Sequence, residues 1–241
     1  MYQYNPTRPT TEFLFDVAKG NIWDTTAVNI FGFNRTVGTS FETIWNNGAT
    51  YAYPSSAVAM SVASSASGDT GLQVKITGLD ANYAEVSETI TTDGSDGTTA
   101  VTGSVLFYRI NSAIILNGNA TGNISITNGG TMYAYIEATL GTTQSSVYTV
   151  PAGHSLYLFR IDVNSATANG NQYLVVRNVV TNSAGRTLKV AESTFSDSQV
   201  SYDRQVPFKI AEKTDFHFEA KSSAASNEIA IFIEAILVRD S

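Results

Sequence analysis

Ser155-Leu156-Tyr157-Leu158-Phe159-Arg160-Ile161-Asp162-Val163 is the stretch on which the reading of the whole chain turns. Tyr157, Phe159, Ile161 and Val163 recur at every second position, and Arg160 and Asp162 fall between them. Successive side chains of an extended backbone point to opposite faces, so this spacing predicts a β-strand with one apolar and one charged face. Just before it, Val150-Pro151-Ala152-Gly153 supplies a turn, with proline setting φ and glycine free to take positive φ. The same alternation continues downstream, in strands expected over Gln172 to Val180, Thr187 to Phe195, Asp215 to Lys221 and Glu228 to Val238. Phe216 and Phe218 share one face of their strand, while Ile229, Ile231, Ile233 and Leu237 share one face of the last.

Working back towards the N-terminus, Asn128-Gly129-Gly130 lies between two β segments, Ser125 to Thr127 and Met132 to Ala138. Asn and Gly at positive φ are what a tight hairpin turn requires. Leu72, Val74 and Ile76 alternate up to Gly78, predicting a half-buried strand that ends in a turn. Val86 and Ile90 share a face opposite Glu85 and Ser87, and Leu106 to Leu116 is β-rich. Asp93-Gly94-Ser95-Asp96-Gly97 and Asn117-Gly118-Asn119 read as turns, the glycines being available for positive φ. Ser55 to Ser67, rich in Ala and Ser, suits a short helix, a strand or a loop equally. Helical periodicity is otherwise nearly absent, and no repeat of solenoid or propeller length is present.

These spacings predict an all-β fold, an antiparallel β-sandwich of jelly-roll-like type in two β modules with an extended N-terminal arm. The expected divisions are an arm over 1–20, an N-terminal module over 21–127 and a C-terminal sandwich module over 128–241. Pro6 and Pro9 favour an extended path for the arm, and Tyr2, Tyr4, Phe13, Leu14 and Phe15 are aromatic or apolar groups worth burying. They would pack either on the chain's own core or on a neighbouring subunit.

The 241 residues include 14 Lys and Arg against 21 Asp and Glu, a formal charge of −7. That sign disfavours a nucleic-acid surface and a polybasic membrane patch, while mutual repulsion favours solubility. Without cysteine there is no disulfide framework or thiolate centre. Met1 to Gly20 lacks a cationic head followed by an apolar run, so no secretory signal is expected there.

Chemistry-bearing residues are sparse. His154 and His217 are the two histidines. His154 and Ser155 are strand neighbours that point to opposite faces, so they cannot form a base–nucleophile pair. His217 lies opposite Phe216 and Phe218 and is expected to be exposed. Two histidines and no cysteine make a zinc or iron site implausible. Asp93 to Gly97 lacks the EF-hand spacing, with Ser104 where the bidentate glutamate would stand, and reads better as a turn than as a calcium loop. No phosphate loop is present. Glu85, Glu88 and Glu137 are carboxylates on expected strands, where simple exposure is the favoured reading over glycoside hydrolysis. Trp23 and Trp45, with the tyrosines, are expected to fill a core rather than form a sugar platform. The expectation is therefore a protein that is not an enzyme, with no catalytic, cofactor or metal residues.

Gly20-Asn21-Ile22, Ile44-Trp45-Asn46-Asn47-Gly48, Tyr51-Ala52-Tyr53-Pro54 and Ile76-Thr77-Gly78-Leu79-Asp80 resemble a family of virion structural proteins of aquatic bacteriophages, especially cyanophages and their relatives. Tyr83, Glu88, Arg109-Ile110 and Gly122-Asn123-Ile124 continue the resemblance, and Tyr148 to Gly153 opens a β module of a kind common in such proteins. The resemblance implies a shell or tail component assembled in the host cytoplasm and carried in the virion. It implies a capsid decoration or cement protein, a homo-oligomer expected to be a trimer, contacting the major capsid protein or tail proteins. The other reading it leaves open is a tail, baseplate or fibre-attachment protein that touches the host surface. Tyr2, Tyr4, Phe13, Phe15, Trp45, Tyr51 and Tyr53 are the expected interface residues.

Overall fold

A computed structural model describes residues 13–166, 172–196, 199–224 and 227–240. The first elements are a short helix α1 (Phe13–Ala18) and strands β1 (Thr25–Val37) and β2 (Glu42–Thr43). Seven strands follow in close succession: β3 (Val58–Ser64), β4 (Gln73–Leu79), β5 (Glu85–Thr91), β6 (Val101–Phe107), β7 (Arg109–Ile115), β8 (Ile124–Asn128) and β9 (Thr131–Ile136). The rest of the chain forms β10 (Tyr148–Thr149), β11 (His154–Ala166), β12 (Leu174–Thr181), β13 (Thr187–Phe195), β14 (Gln199–Ile210), β15 (Asp215–Ser222) and β16 (Asn227–Arg239). All the strand pairings are antiparallel, as the alternation requires.

The strands build two stacked pairs of sheets. A terminal sandwich has one sheet in the order β1-β16-β11-β14 and a second in the order β10-β15-β12-β13, with β2 added beside β15. An inserted sandwich, made wholly of β3 to β9, has the orders β6-β3-β8-β9 and β5-β4-β7. Each has its own core. Ile30, Leu156, Leu158, Leu174, Val176, Phe216, Phe218 and the β16 isoleucines fill the first. Met60, Val74, Ile76, Phe107, Ile124 and Ile126 fill the second. Burying a side chain of this size stabilises by about 1.5–3 kcal/mol, so two such cores hold without disulfides.

The sheets cut the chain in places other than those expected. The division between 127 and 128 falls inside the β8–β9 hairpin, whose Asn128 and Thr131 are paired. Strand β1, expected in the first module, runs alongside β16 from Thr25↔Val238 to Val37↔Asn227. Turn residues and alternation report each strand by itself, whereas pairing partners far apart in sequence leave no local mark. The arm also differs. Phe13–Ala18 is helical, anchored by the buried Val17, while residues 1–12 lie outside the described residues. Ser55 to Ser67 resolves in favour of a strand, β3.

Alternation holds without a break in β16, where Ile229, Ile231, Ile233, Ala235 and Leu237 are all buried. It fails in β11. A bulge between Leu158 and Arg160 offsets the register against both neighbouring strands. An extra residue in one strand swaps the faces beyond it. Leu156 and Leu158 therefore face the core before the bulge and Val163 after it, with Ile161 packed against the same core. The expected Tyr157-Phe159 face is only half-buried.

The Asn128-Gly129-Gly130 turn is as expected, with φ of 55° and 81° at the two glycines. Gly78 and Gly97 serve another purpose. Neither has positive φ, but a Cβ on Gly78 would sit 2.1 Å from the Arg109 carbonyl oxygen, and one on Gly97 would sit 2.6 Å from that of Asp69. Both mark close backbone approach, so β4 runs through Gly78 to Leu79 instead of ending there.

Candidate functional site

The richest cluster of ionisable groups lies where the two sandwiches meet. Phe216, Phe218 and Ala220 of β15 point into the terminal core. Asp215, His217 and Glu219 must therefore point to the opposite face, which would be wet in an isolated sandwich. Here all three are buried, because the inserted sandwich and the segment leading into it cover that face. His217 does lie opposite the two phenylalanines, as the alternation requires. The expectation that it is exposed is corrected, since only 8% of it is accessible.

Each group in the junction has partners. Arg109, at the start of β7, donates from Nε (2.7 Å) and Nη2 (2.8 Å) to the two carboxylate oxygens of Asp215. Its Nη1 donates to the carbonyls of Pro54 and Tyr108, at 3.1 and 2.7 Å. The guanidinium carbon lies 3.9 Å from the Tyr108 ring centroid and 5.0 Å from that of Tyr53. Thr149 Oγ1 donates to Asp215 Oδ1 at 2.6 Å. Burial pushes the Tyr53 hydroxyl well above the ordinary phenol range, and the charges of Asp215 and Tyr51 add to this. Beside this pair, Tyr53 Oη and His217 Nδ1 are 3.2 Å apart, and His217 Nε2 is 3.3 Å from Glu219 Oε1. Arg177 Nε donates to Glu219 Oε2 at 2.6 Å. The His217 hydrogen bond, with help from Arg177, outweighs burial and holds Glu219 below its usual carboxylate range.

This junction joins the two sandwiches, and Arg109, Asp215, His217 and Glu219 are buried within it. Charges paired and hydrogen-bonded on all sides are costly to separate, so the network fixes how one sheet pair sits on the other. Sequence reasoning missed the Arg109–Asp215 pair. Each residue is a single charge beginning a strand, and nothing local distinguishes such a residue from a solvated one.

Other candidates for chemistry are accounted for structurally. His154 Nδ1 bonds the Ala152 carbonyl, while Ser155 Oγ donates to Asp240, so the two neighbours engage different partners. Glu88 accepts hydrogen bonds from the Ser104 and Val105 amides, and Glu137 accepts from Arg35. Asp93 caps its own turn, accepting from the amides of Ser95 and Asp96 at 2.8 and 2.9 Å. Asp69, which the sequence did not single out, is buried. Burial alone would raise its pKa, but bonds from Ser64, Thr121 and Gly122 bring it down to about 2. Among the described residues no three metal-ligating side chains converge. A small pocket lined by Tyr51, Asn111, Tyr133 and Val147 encloses about 10 Å³, room for one water.

The expected interface residues separate into three groups. Tyr2 and Tyr4 lie outside the described residues. Phe13 and Phe15 stand on α1, 38% and 60% exposed, with Leu14 between them at 50%. Trp45 and Tyr51 are buried in a small cluster with Val147, against which Tyr53 packs. Tyr51 Oη donates to the Tyr133 carbonyl of β9, so Trp45 and Tyr51 are engaged within the junction, with Tyr53 partly buried beside them. Trp23, expected in a core, is 86% exposed, because β1 begins after it and no sheet reaches over it.

No family model matches this sequence, and no curated protein matches it. Three solved structures from infectious bursal disease virus, two of them of VP2, align with 90% of the chain at 12% identity. The crystal structure of the VP2 subviral particle is covered over 77% of its chain, with a TM-score of 0.20. A point-mutant VP2 that gives T=1 particles is covered over 74%, also at 0.20, and the Gt strain structure over 78%, at 0.18. The likeness is to viral capsid proteins, and at these scores it carries no argument about this chain.

Proposed function

We propose that this chain is a non-enzymatic virion structural protein, a capsid decoration or cement protein that reinforces a shell by contact with neighbouring subunits. The observation that carries the reading is the apolar surface at the N-terminal end of the described chain. Phe13, Leu14, Phe15 and Trp23 stand within one short segment, all exposed, next to two buried anchors, Asp16 and Val17. Clustered exposed apolar groups mark contact surfaces. Residues 1–12, with Tyr2 and Tyr4, lead directly into it. The resemblance of residues 20–124 to phage virion proteins gives the particle as the setting, with the major capsid protein as the partner.

The test is binding of purified chain to purified particles stripped of it. Phe15→Ser with Trp23→Ser should lower occupancy sharply while circular dichroism stays unchanged, since neither side chain is in a core. Unchanged occupancy would overturn the reading. Copy number in intact particles separates a shell role, with many copies, from a tail or baseplate role, with a single ring of copies.

A further inference from the structure

Strands β13 and β14 each end a sheet of the terminal sandwich, with one edge unpaired among the described residues. An edge strand of a sandwich ordinarily buries every second residue. On β13, however, all of residues 187–192 are exposed, so both faces of the strand and its outer backbone edge are open together. Leu188 and Val190 are 44% and 39% exposed there. Lys189 and Glu192 form no ion pair among the described residues. Glu192 stands opposite Arg177 in the ladder, but the Arg177 guanidinium is held by Glu219.

We propose that β13 is a self-association edge, on which β13 of a second copy of this chain pairs antiparallel and continues the sheet across a twofold axis. An open edge is satisfied by another strand, and a second copy brings an edge with the same need, so a single isologous contact closes both. Charge complementarity also selects a second copy. Lys189 and Glu192 are three residues apart, but the extra residue between them brings both to one face, opposite Val179 and Arg177. Antiparallel pairing about that extra residue therefore sets Lys189 of each copy beside Glu192 of the other, giving two opposite-charge pairs. The single extra residue that β13 carries near Val190 recurs in the partner, so the two irregularities meet at the axis. Strand β14 is unsuited to the same contact. Pro207 lacks an amide hydrogen, and four consecutive residues, 204–207, have no ladder partner, so the edge is broken over a longer stretch than the single extra residue of β13.

The inference names a partner for the assembly reading above and rests on it, but the two fail separately. Sedimentation of the purified chain across a concentration series should show a species of twice the 25.8 kDa monomer mass. Lys189→Glu places like charges together twice and should raise the dissociation constant about tenfold. Adding Glu192→Lys to that variant should restore association to near the original value, a rescue that general damage to the fold would not give. A monomer at every concentration, a trimer, or a dimer indifferent to Lys189→Glu would overturn the proposal. Loss of particle binding with an intact dimer would overturn only the virion reading.

Discussion

The two sandwiches have similar cores but treat their edges differently. In the inserted sandwich, β5 lies beside β6, and Glu88 reaches across to accept from the Ser104 and Val105 amides at 2.7 and 3.1 Å. A carboxylate there takes the place of missing ladder bonds. The free edge of β7 is capped by residues 141–143, through Ile115 N to the Gly141 carbonyl and Thr143 N to the Ala113 carbonyl. Among the described residues the terminal sandwich leaves β13 without such cover, with Leu188 and Val190 in water, while β14 is interrupted by its own unpaired stretch and Pro207. An unprotected edge invites strand pairing, and proteins usually blunt it. Among the described residues, then, the inserted half covers these two edges itself, whereas the terminal half leaves β13 open.

The sharpest way to break this comparison is to cut the tie between the halves. Arg109→Met removes the guanidinium that joins β7 to Asp215 on β15 and leaves a buried carboxylate with Thr149 as its remaining side-chain donor. Removing one member of a buried ion pair costs about 3–5 kcal/mol. Denaturant unfolding should show that loss. If the junction is what makes the halves unfold as one, the variant should also lose coincidence between probes placed in each half. A loss below about 1 kcal/mol would mean that the pair behaves as a surface one.

A smaller effect is expected where the inserted sandwich closes itself. Glu88→Ala leaves the Ser104 and Val105 amides to water in place of their acceptor, a cost of about 1 kcal/mol. Hydrogen exchange should quicken at those two amides and stay slow in β3 and β8. Gly103 belongs to the same device, since a Cβ there would sit 2.2 Å from the Glu88 carboxylate. An alanine at Gly103 should therefore damage the same closure, and unchanged exchange in Glu88→Ala would show that the backbone closes this edge without help.

Strand character was readable in the sequence wherever one face of a regular strand meets a core. Ile229, Ile231, Ile233 and Leu237 of β16 share one face, and all four are buried. The hairpin at Asn128-Gly129-Gly130 was readable because only a few residue types adopt its φ values. What escaped reading depends on contacts made far along the chain. The β11 bulge reverses faces without any turn residue to announce it, so Tyr157 and Phe159 looked like core positions. The nesting of one sandwich within the other is a matter of partner choice between β1 and β16, which alternation does not encode. The burial of His217 arises from a second sheet pair placed over an outer face, and Trp23 is exposed because its segment precedes every sheet. The polar faces at the junction therefore read as solvated, while Trp23 read as core.

The same contrast predicts where substitution is free. Val206 is 79% exposed on the unpaired stretch of β14, in a run of exposed residues from 201 to 207. Its neighbours in the β14 alternation, Phe208 and Ile210, do reach the terminal core. Val200, on the far side of the unpaired residues 204–207, packs on that core again, so the interruption itself carries Val206 into water. If that excess apolar character serves the fold of the single chain, Val206→Ser should destabilise it as a buried valine would. If it serves a contact between chains, the isolated chain should change by less than about 0.5 kcal/mol, as an exposed site does. Thermal unfolding of the dilute chain is expected to give the smaller value, with the midpoint within experimental error of the parent. A larger loss would mean that β14 folds back over its own sandwich in solution, closing one of the two edges that distinguish this half from the other.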